Sequence, residues 1–365
     1  MEGFRSSLVG GHDFHLPFHF TNLELIGSGG HSVVCSALDT LSNQRVAIKK
    51  LSLRCSRAAL REITILKRLR HQNVVCVHEV VSYGDLDEEN LNSVYVVQEL
   101  MPTDLGHLFK RSTMDEDHVK IFLYYLLKGV KYIHSANVIH RDIKPSNVLI
   151  DGETLDLKIC DFGLARVLDS AYYHGGFLTE TVCTQWYRAP EVMLTPKDYT
   201  NKIDMWSVGC VFAEMLLGGK PLFPGSNEYD QIRLILQTVR LDSRDLEYLR
   251  HKGVDSPILP RQPREIVALP QNLQTARSEA LDLLDKMLTF NPETRISAEQ
   301  ALSHPYLKEF ANPDNEPVAS DPFYIESEVN DYQPENTMKE MIRQLSCSSP
   351  RGLELLIDKQ NVKSD

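Results

Sequence analysis

The sequence predicts an α+β chain built as a small β-rich lobe and a larger helical lobe, and three observations carry that expectation. Strand patterns recur at 23–34, 45–49 and 93–101, long helical patterns follow at 118–135 and 202–217, and 365 residues suit about two domain-sized bodies. Residues 1–19 mix Gly, His and Ser without sustained periodicity and read as a flexible leader, so the fold is expected to begin near Phe20. Residues 311–345 read as an extension packing back on the body, and 346–365 as a flexible tail.

Leu23 to Val34 reads as strand, glycine turn, strand. Gly27 and Gly29 allow the backbone to approach a phosphate closely, while Ser32 stands where a third glycine would complete G-x-G-x-x-G. An ordinary hairpin explains this stretch equally well when it is taken alone. Arg45-Val46-Ala47-Ile48-Lys49 alternates like a strand and ends on a lysine suited to α/β-phosphates. Ala58 to Arg70 has helical spacing, with Leu60, Ile63, Leu66 and Leu69 on one stripe and Glu62 placed to face Lys49. A helix glutamate is commonly just solvated; the lysine strand before it favours a Lys49–Glu62 ion pair. Ser93 to Met101 reads as a buried strand running out to Pro102, the boundary between lobes. Long helical patterns follow at 118–135 and 202–217, the second with Asp204 near its head, either as an N-cap or as an anchor for the loop after the first helix.

Composition narrows the function. With 39 Lys plus Arg against 50 Asp plus Glu, the formal charge of -11 argues against a general nucleic-acid surface. No apolar run reaches the roughly 18 residues of a membrane span, and the first residues lack an apolar signal core, so an intracellular soluble protein is expected. Cys35, Cys55, Cys76, Cys160, Cys183, Cys210 and Cys347 are scattered without a C-x-x-C pair, as free thiols in a reducing compartment would be. Cys160 reads as a small packed residue whose place beside Asp161 raises the question of access.

The chemistry concentrates in His140-Arg141-Asp142-Ile143-Lys144-Pro145-Ser146-Asn147 and, after a short gap, Asp161-Phe162-Gly163. Phosphoryl transfer needs an oriented hydroxyl, held metal ions and neutralised charge rather than covalent help. Asp142 is placed to accept the incoming hydroxyl's hydrogen bond and Lys144 to meet the γ-phosphate, while Asn147 and Asp161 offer hard oxygens to Mg²⁺. An isolated Asp-Phe-Gly is an ordinary turn; the eight-residue loop before it makes chance a poor explanation.

The glycine hairpin, V-A-I-K, H-R-D-x-K-P-x-N, D-F-G-L-A-R and Ala189-Pro190-Glu191, in that order, resemble the eukaryotic protein kinases. Thr179-Glu180-Thr181 followed by Val182-Cys183-Thr184-Gln185-Trp186-Tyr187-Arg188 is similar to the mitogen-activated protein kinases, and the likeness covers roughly residues 20–330. Within them, Gly27 to Gly30, Asn92 to Glu99, Ile133 to Val138 and Pro322 to Glu328 most resemble the atypical extracellular signal-regulated kinases three and four.

The resemblance implies a bilobal fold, with a small β-rich lobe at about 20–100 and a larger helical lobe at about 101–310, that uses ATP and Mg²⁺ to phosphorylate serine or threonine in proteins, with Asp142, Lys144 and Lys49 catalytic. Nucleotide would lie against Ile26, Gly27, Ser28, Gly29, Val34, Ala47, Lys49, Glu62, Gln98, Glu99, Met101, Asp104, Asn147 and Asp161, the adenine being read by backbone at Glu99 and Met101 and the ribose by Asp104. Thr179 and Thr181 would be the regulatory phosphosites, and Arg61, Arg141 and Arg166 match positions that hold a phosphothreonine. Implied partners are protein substrates, an upstream activating kinase, and a downstream mitogen-activated-protein-kinase-activated kinase docked through Phe323, Ile325, Glu326 and Glu328, with no nucleic acid and no membrane. The same tail without the family reads as an exposed apolar and acidic segment. Cytoplasm and nucleus are the implied locations.

Departures matter as well. Conventional members carry Thr-x-Tyr and an arginine where Thr181 and Gln185 stand, and that arginine helps hold the phosphotyrosine; losing both together is coherent. Gln185 is therefore expected to weaken a preference for proline after the phosphorylated residue. Asn312 to Pro317 keeps fewer acids than the common docking motif. Two rival functions remain, a nucleotide-binding pseudokinase scaffold and a small-molecule kinase, the second disfavoured by Ala189-Pro190-Glu191 and the peptide-binding segment before it.

Overall fold

The structure, a computed structural model, describes residues 3–29, 32–52, 56–83, 93–111, 113–168, 185–195, 199–254, 256–264, 270, 273, 275–324, 341–342 and 344–345. Strands β1 (Phe4–Val9), β2 (His12–Pro17), β3 (Phe20–Ser28), β4 (Ser32–Asp39), β5 (Gln44–Ser52), β6 (Val77–Tyr83) and β7 (Ser93–Glu99), with helix α1 (Ser56–Arg68), make the small lobe. The remaining described elements belong to the large lobe. They are β8 (Thr103–Asp104), α2 (Leu105–Arg111), α3 (Glu116–Ser135), β9 (Val138–Ile139), β10 (Val148–Ile150), β11 (Leu157–Ile159), β12 (Arg166–Val167), α4 (Pro190–Leu194), α5 (Lys202–Leu216), α6 (Glu228–Thr238), α7 (Ser243–His251), α8 (Ser278–Met287) and α9 (Ala298–Leu302).

The small-lobe sheet is antiparallel in the order β3-β4-β5-β7-β6, which puts β5 at its centre. Lys49 lies opposite Val34 on one side and Val96 on the other, so its position is set by both neighbours. The alternation Val46, Ile48 against Ala47, Lys49 then divides β5 between two environments, because successive strand residues face opposite ways. Val46 and Ile48 join the cluster of Phe14, Leu16, Phe20, Cys35, Tyr95 and Val97.

The stretch 1–19, expected as a flexible leader, is folded from Phe4 onward. Residues 4–17 form a hairpin, β1 against β2, turned by Gly10 and Gly11 at φ +56° and +84°, where a side chain would be strained. Phe14 is fully buried and Leu16 nearly so, and His15 N donates to the Tyr95 hydroxyl at 2.9 Å. The alternating pattern is too short to stand alone, since an isolated two-stranded hairpin is marginal in water; the apolar surface of the larger sheet completes it.

In the large lobe α5 is buried from Ile203 through Met215, the behaviour of a helix apolar on nearly every side. The short strands serve the loops between them. β9 leads into 140–147, β10 leaves it and pairs with β11, and β12 returns from the Asp161 turn to pair with β9.

After α9 the chain runs back along α3. Glu316 is buried, accepting from the Tyr124 hydroxyl at 3.3 Å and from Lys131 at 3.1 Å. Phe323 is fully buried: its N–H donates to Ala136 O at 3.0 Å, its carbonyl accepts from Asn137 Nδ2 at 2.8 Å, and the Arg68 guanidinium lies 4.0 Å from its ring centroid. Phe323 therefore cannot serve as the accessible anchor of a docking tail; an aromatic followed by acids looks the same in sequence whether it is presented or enclosed. Ile325, Glu326 and Glu328 lie outside the described residues. Farther on, Ile342 is fully buried and Leu345 O accepts from Lys67 of α1 at 2.5 Å.

Phe14→Ala and Phe323→Ala should each cost about 3 kcal/mol or more of stability through the cavity left behind. Val318→Ala, on the same strap but 60% exposed, should change stability by no more than about 0.5 kcal/mol. Denaturant midpoints of the three variants check this.

Candidate active site

The site is assembled where β5, α1 and the turn after β11 meet. Lys49 Nζ donates to Glu62 Oε1 at 2.5 Å and to Asp161 Oδ1 at 2.8 Å, so one amine joins the sheet, the helix and the large lobe. Burial alone would strip Lys49 of its proton, but the carboxylates of Glu62 and Asp161 outweigh it and push its pKa up. Lys49 in turn holds the Asp161 carboxyl down at about 2, and hydrogen bonds from Lys49 and the Gly163 N–H add to this against the cost of burial. Asp161 is thus ionised at neutral pH. Its φ of +64° is a left-handed conformation that aspartate tolerates better than most residues.

The loop 140–147 is held by a different carboxylate. Asp204, fully buried near the start of α5, accepts from His140 N and Arg141 N at 2.8 Å each and from His134 Nε2 at 2.9 Å. Asn201 occupies the N-cap position, so Asp204 anchors the loop instead of capping its helix. Arg141 adopts φ +71°, and its guanidinium lies 5.2 Å from the centroid of Tyr199. Asp142 Oδ2 accepts from Lys144 Nζ at 2.7 Å and Asn147 Nδ2 at 2.9 Å. The Asn147 amide nitrogen is directed at Asp142 and donates to its main-chain carbonyl as well, at 2.8 Å.

The positions expected to meet the nucleotide lie largely along the sheet. Gly27 lies opposite Val34, Ala47 opposite Gln98, and Gly29 N donates to Ser32 O at 2.9 Å across the turn. Ala47 and Gln98 are buried, whereas Ile26 is half exposed at the rim of β3 beside Ser28. Glu99 N donates to Cys76 O, while its side chain accepts from Cys76 N at 2.6 Å and pairs with Lys158 at 3.0 Å. Asp104, expected at a ribose, has its carboxylate engaged at the first turn of α2, accepting from His107 N at 2.9 Å and meeting His107 Nδ1 at 2.6 Å. Met101 follows β7 in the connection between lobes. Cys160 is inert by environment: burial pushes its thiol pKa up.

Of the cations expected to meet a phosphate, Arg61 neighbours Glu62 in α1, and Arg166 pairs in β12 with Ile139, two residues before Arg141. Arg166 Nη1 donates to the adjacent Ala165 O at 2.9 Å. Thr179 and Thr181 lie outside the described residues.

Several supporting residues carry no local signal. Arg295 is fully buried and bidentate to Glu191, at 2.6 and 2.9 Å, pinning Ala189-Pro190-Glu191 from 104 residues away. His134, Ser207 and Gln231 likewise act on partners far along the chain, and only the Asp204 position was visible beforehand.

A lysine and two carboxylates joined across two lobes, beside an Asp-Lys-Asn loop hung on a buried aspartate, define a protein kinase. Residues 20–307 match the protein kinase domain family. Over 354 residues the chain is 48% identical to mitogen-activated protein kinase mpk-1 of Caenorhabditis elegans, covering 95% of this chain and 78% of that protein. The chain belongs to the mitogen-activated protein kinase family and is a serine/threonine protein kinase. ATP and a divalent metal come with that family in general. Among the described residues no helix is long and apolar enough to cross a membrane.

Glu214 of α5 offers a pH test close to the site. It is buried, accepts from the Tyr187 hydroxyl at 2.7 Å, and burial raises its pKa to about 7. A folded-state pKa raised above the unfolded value contributes stability that is fully present below the unfolded pKa, about 4.5, and is lost as pH rises through about 7. Glu214→Gln does not titrate. Relative to the parent, the variant should therefore gain about 2–3 kcal/mol between pH 5 and pH 8, with a flat difference above that. Parallel denaturation curves across the range would show it, and a pH-independent difference would mean that Glu214 keeps an ordinary pKa.

Proposed function

We propose that the chain transfers the γ-phosphoryl group of ATP to serine or threonine of proteins with Mg²⁺ as its metal, working in the cytoplasm and nucleus under an upstream activating kinase. The observation that carries the catalytic reading is the Lys49, Glu62 and Asp161 junction, with Asp142, Lys144 and Asn147 bonded to one another beside it. A pseudokinase scaffold has no need for this full set of oriented groups.

Asp142 accepts the hydrogen bond of the attacking hydroxyl and orients its oxygen, while Lys144, already against Asp142, extends its charge toward the phosphate being transferred. Lys49 binds α/β-phosphate oxygens, with Glu62 keeping the amine in place. Backbone at Glu99 and Met101 reads the adenine. Asp161 and the Asn147 amide oxygen would hold the metal. Mg²⁺ takes one or two protein carboxylates together with phosphate oxygens and water. When bound, it neutralises phosphate charge. The segment 185–188, ahead of Ala189-Pro190-Glu191, bears the substrate peptide.

Regulation runs through Thr179. A phosphate there brings nearly two charges and three acceptor oxygens, and Arg61, Arg141 and Arg166 come from α1, the catalytic loop and β12, so one anion would draw three parts of the molecule together. Thr181 lacks a comparable set, because Gln185 stands where a cation would be needed. The finer likeness to the atypical kinases three and four rests on short segments of sequence.

Asp142→Asn should lower phosphotransfer to protein by about 100-fold or more while leaving the melting temperature near that of the parent. Labelled ATP provides the assay, and a variant within about threefold of the parent would sink the catalytic assignment in favour of a scaffold. A second expectation concerns the switch: Thr179→Ala should lose most activity and Thr181→Ala little. Kinetics of both variants, with mass spectrometry of the active protein, decide it, and equal large losses would overturn the single-site reading.

A further inference from the structure

The turn of 3-10 helix Gln185–Tyr187 is bonded to its surroundings at every residue. Gln185 Nε2 and Trp186 Nε1 both donate to Gly225 O, each at 3.1 Å. Gln231 of α6, with no exposed surface, accepts from Gly225 N at 3.1 Å and donates Nε2 to Trp186 O at 3.3 Å. Tyr187 O accepts from Ser207 Oγ of α5 at 2.8 Å. The first two side chains thus grip one carbonyl, and a buried amide ties the donor loop and the turn into a closed ring of neutral hydrogen bonds.

Residue 225 is adapted to this contact. A Cβ there would lie 2.4 Å from Gln231 Oε1 and 2.7 Å from Gln231 Cα, so only glycine lets the loop pass this close to α6. The turn also shares its support with the catalytic loop. Ser207, which holds Tyr187, follows Asp204 by three residues on α5, and Asp204 holds His140 and Arg141. One buried helix therefore sets the distance between the turn and Asp142.

We propose that Gln185 is a positioning residue for the protein substrate: through Gly225 O it fixes the turn that bears the peptide, and it does so with a neutral donor. This rests on the reading above, in which segment 185–188 carries the peptide. An amide is enough for the place because its acceptor is a backbone carbonyl, which an N–H donor satisfies without any counter-charge. Peptide binding is the property affected, since Gln185 bonds neither the catalytic loop nor the Lys49 junction.

Steady-state kinetics of the full chain, with a serine-containing peptide and with ATP as varied substrates, test the assignment in three variants. Gln185→Glu replaces the donor by an oxygen facing Gly225 O and should raise the peptide KM about tenfold, leaving kcat and the ATP KM within about twofold. Gln185→Met removes the donor without adding charge and should raise the peptide KM about threefold to tenfold. Gln185→Arg restores an N–H and should return the peptide KM to within about threefold of the parent. A peptide KM unmoved in the Glu and Met variants overturns the assignment, as does a parallel rise in ATP KM or an Arg variant no better than Met. A parent chain that transfers phosphate to no peptide overturns the kinase reading itself, whereas an active parent with indifferent variants overturns the role of Gln185 alone.

Discussion

The structure depends on a buried carboxylate whose hydrogen bonds come from one histidine ring and two main-chain N–H groups. Burial disfavours the charge of Asp204, yet the His134 ring, the nearby His140 and the N–H of Arg141 hold its pKa below the usual carboxylate range. An ionised group in that position must be matched by donors in fixed directions, because leaving it unsatisfied in a low-dielectric interior costs several kcal/mol. The donors it finds are main-chain N–H groups of the catalytic loop, so the requirement to satisfy Asp204 is at the same time a requirement on the shape of 140–142. The left-handed φ of Arg141 is tolerated inside that constraint.

A second junction operates at the boundary between lobes. Lys49 is buried and bonded to two carboxylates of different origin, one on α1 and one after β11. Its geometry is meaningful only when all three elements are in register. Movement of α1 away from the sheet would part the buried Glu62 carboxylate from Lys49, and movement of the Asp161 turn would part Asp161 from the same amine. The position of α1 is thereby tied to the state of the cleft, and α1 is also where Arg61 and, at its far end, Lys67 and Arg68 meet other parts of the chain.

Much of the site was legible because its chemistry is local. Asp142, Lys144 and Asn147 lie within six residues, and Lys49 ends an alternating strand, so residue type and spacing announce them. The helix at 118–135 was visible from its periodicity and that at 202–217 from its long apolar run, and the structure places them at Glu116–Ser135 and Lys202–Leu216. What stayed hidden depends on distance along the chain. Arg295 reads as one more charged residue until Glu191 is found against it, and Gln185 reads as a lost cation until Gly225 O supplies an acceptor. The hairpin β1–β2 was missed because its six-residue strands are marginal without the sheet they cover, and Phe323 because an aromatic followed by acids carries no mark of whether it is enclosed.

The strap that ends in Phe323 bears on how the protein is made. Ala136 O and Asn137 Nδ2, at the end of α3, find their partners in a residue synthesised 186 positions after Asn137, and the ring of that residue rests under Arg68 of the small lobe. A chain emerging from the ribosome can build its sheet, and later its helices, long before this piece exists. Until then Ala136 O, Asn137 Nδ2 and Lys131 lack the partners they find in the strap, and incompletely packed chains of this kind are what chaperones hold and misassembly exploits. Such sequence-distant closure comes late, since the loop must be brought together before its contacts repay the entropy. Completion of the kinase is thus timed by translation itself, with the small lobe secured from behind only after nearly all of the catalytic machinery has been laid down.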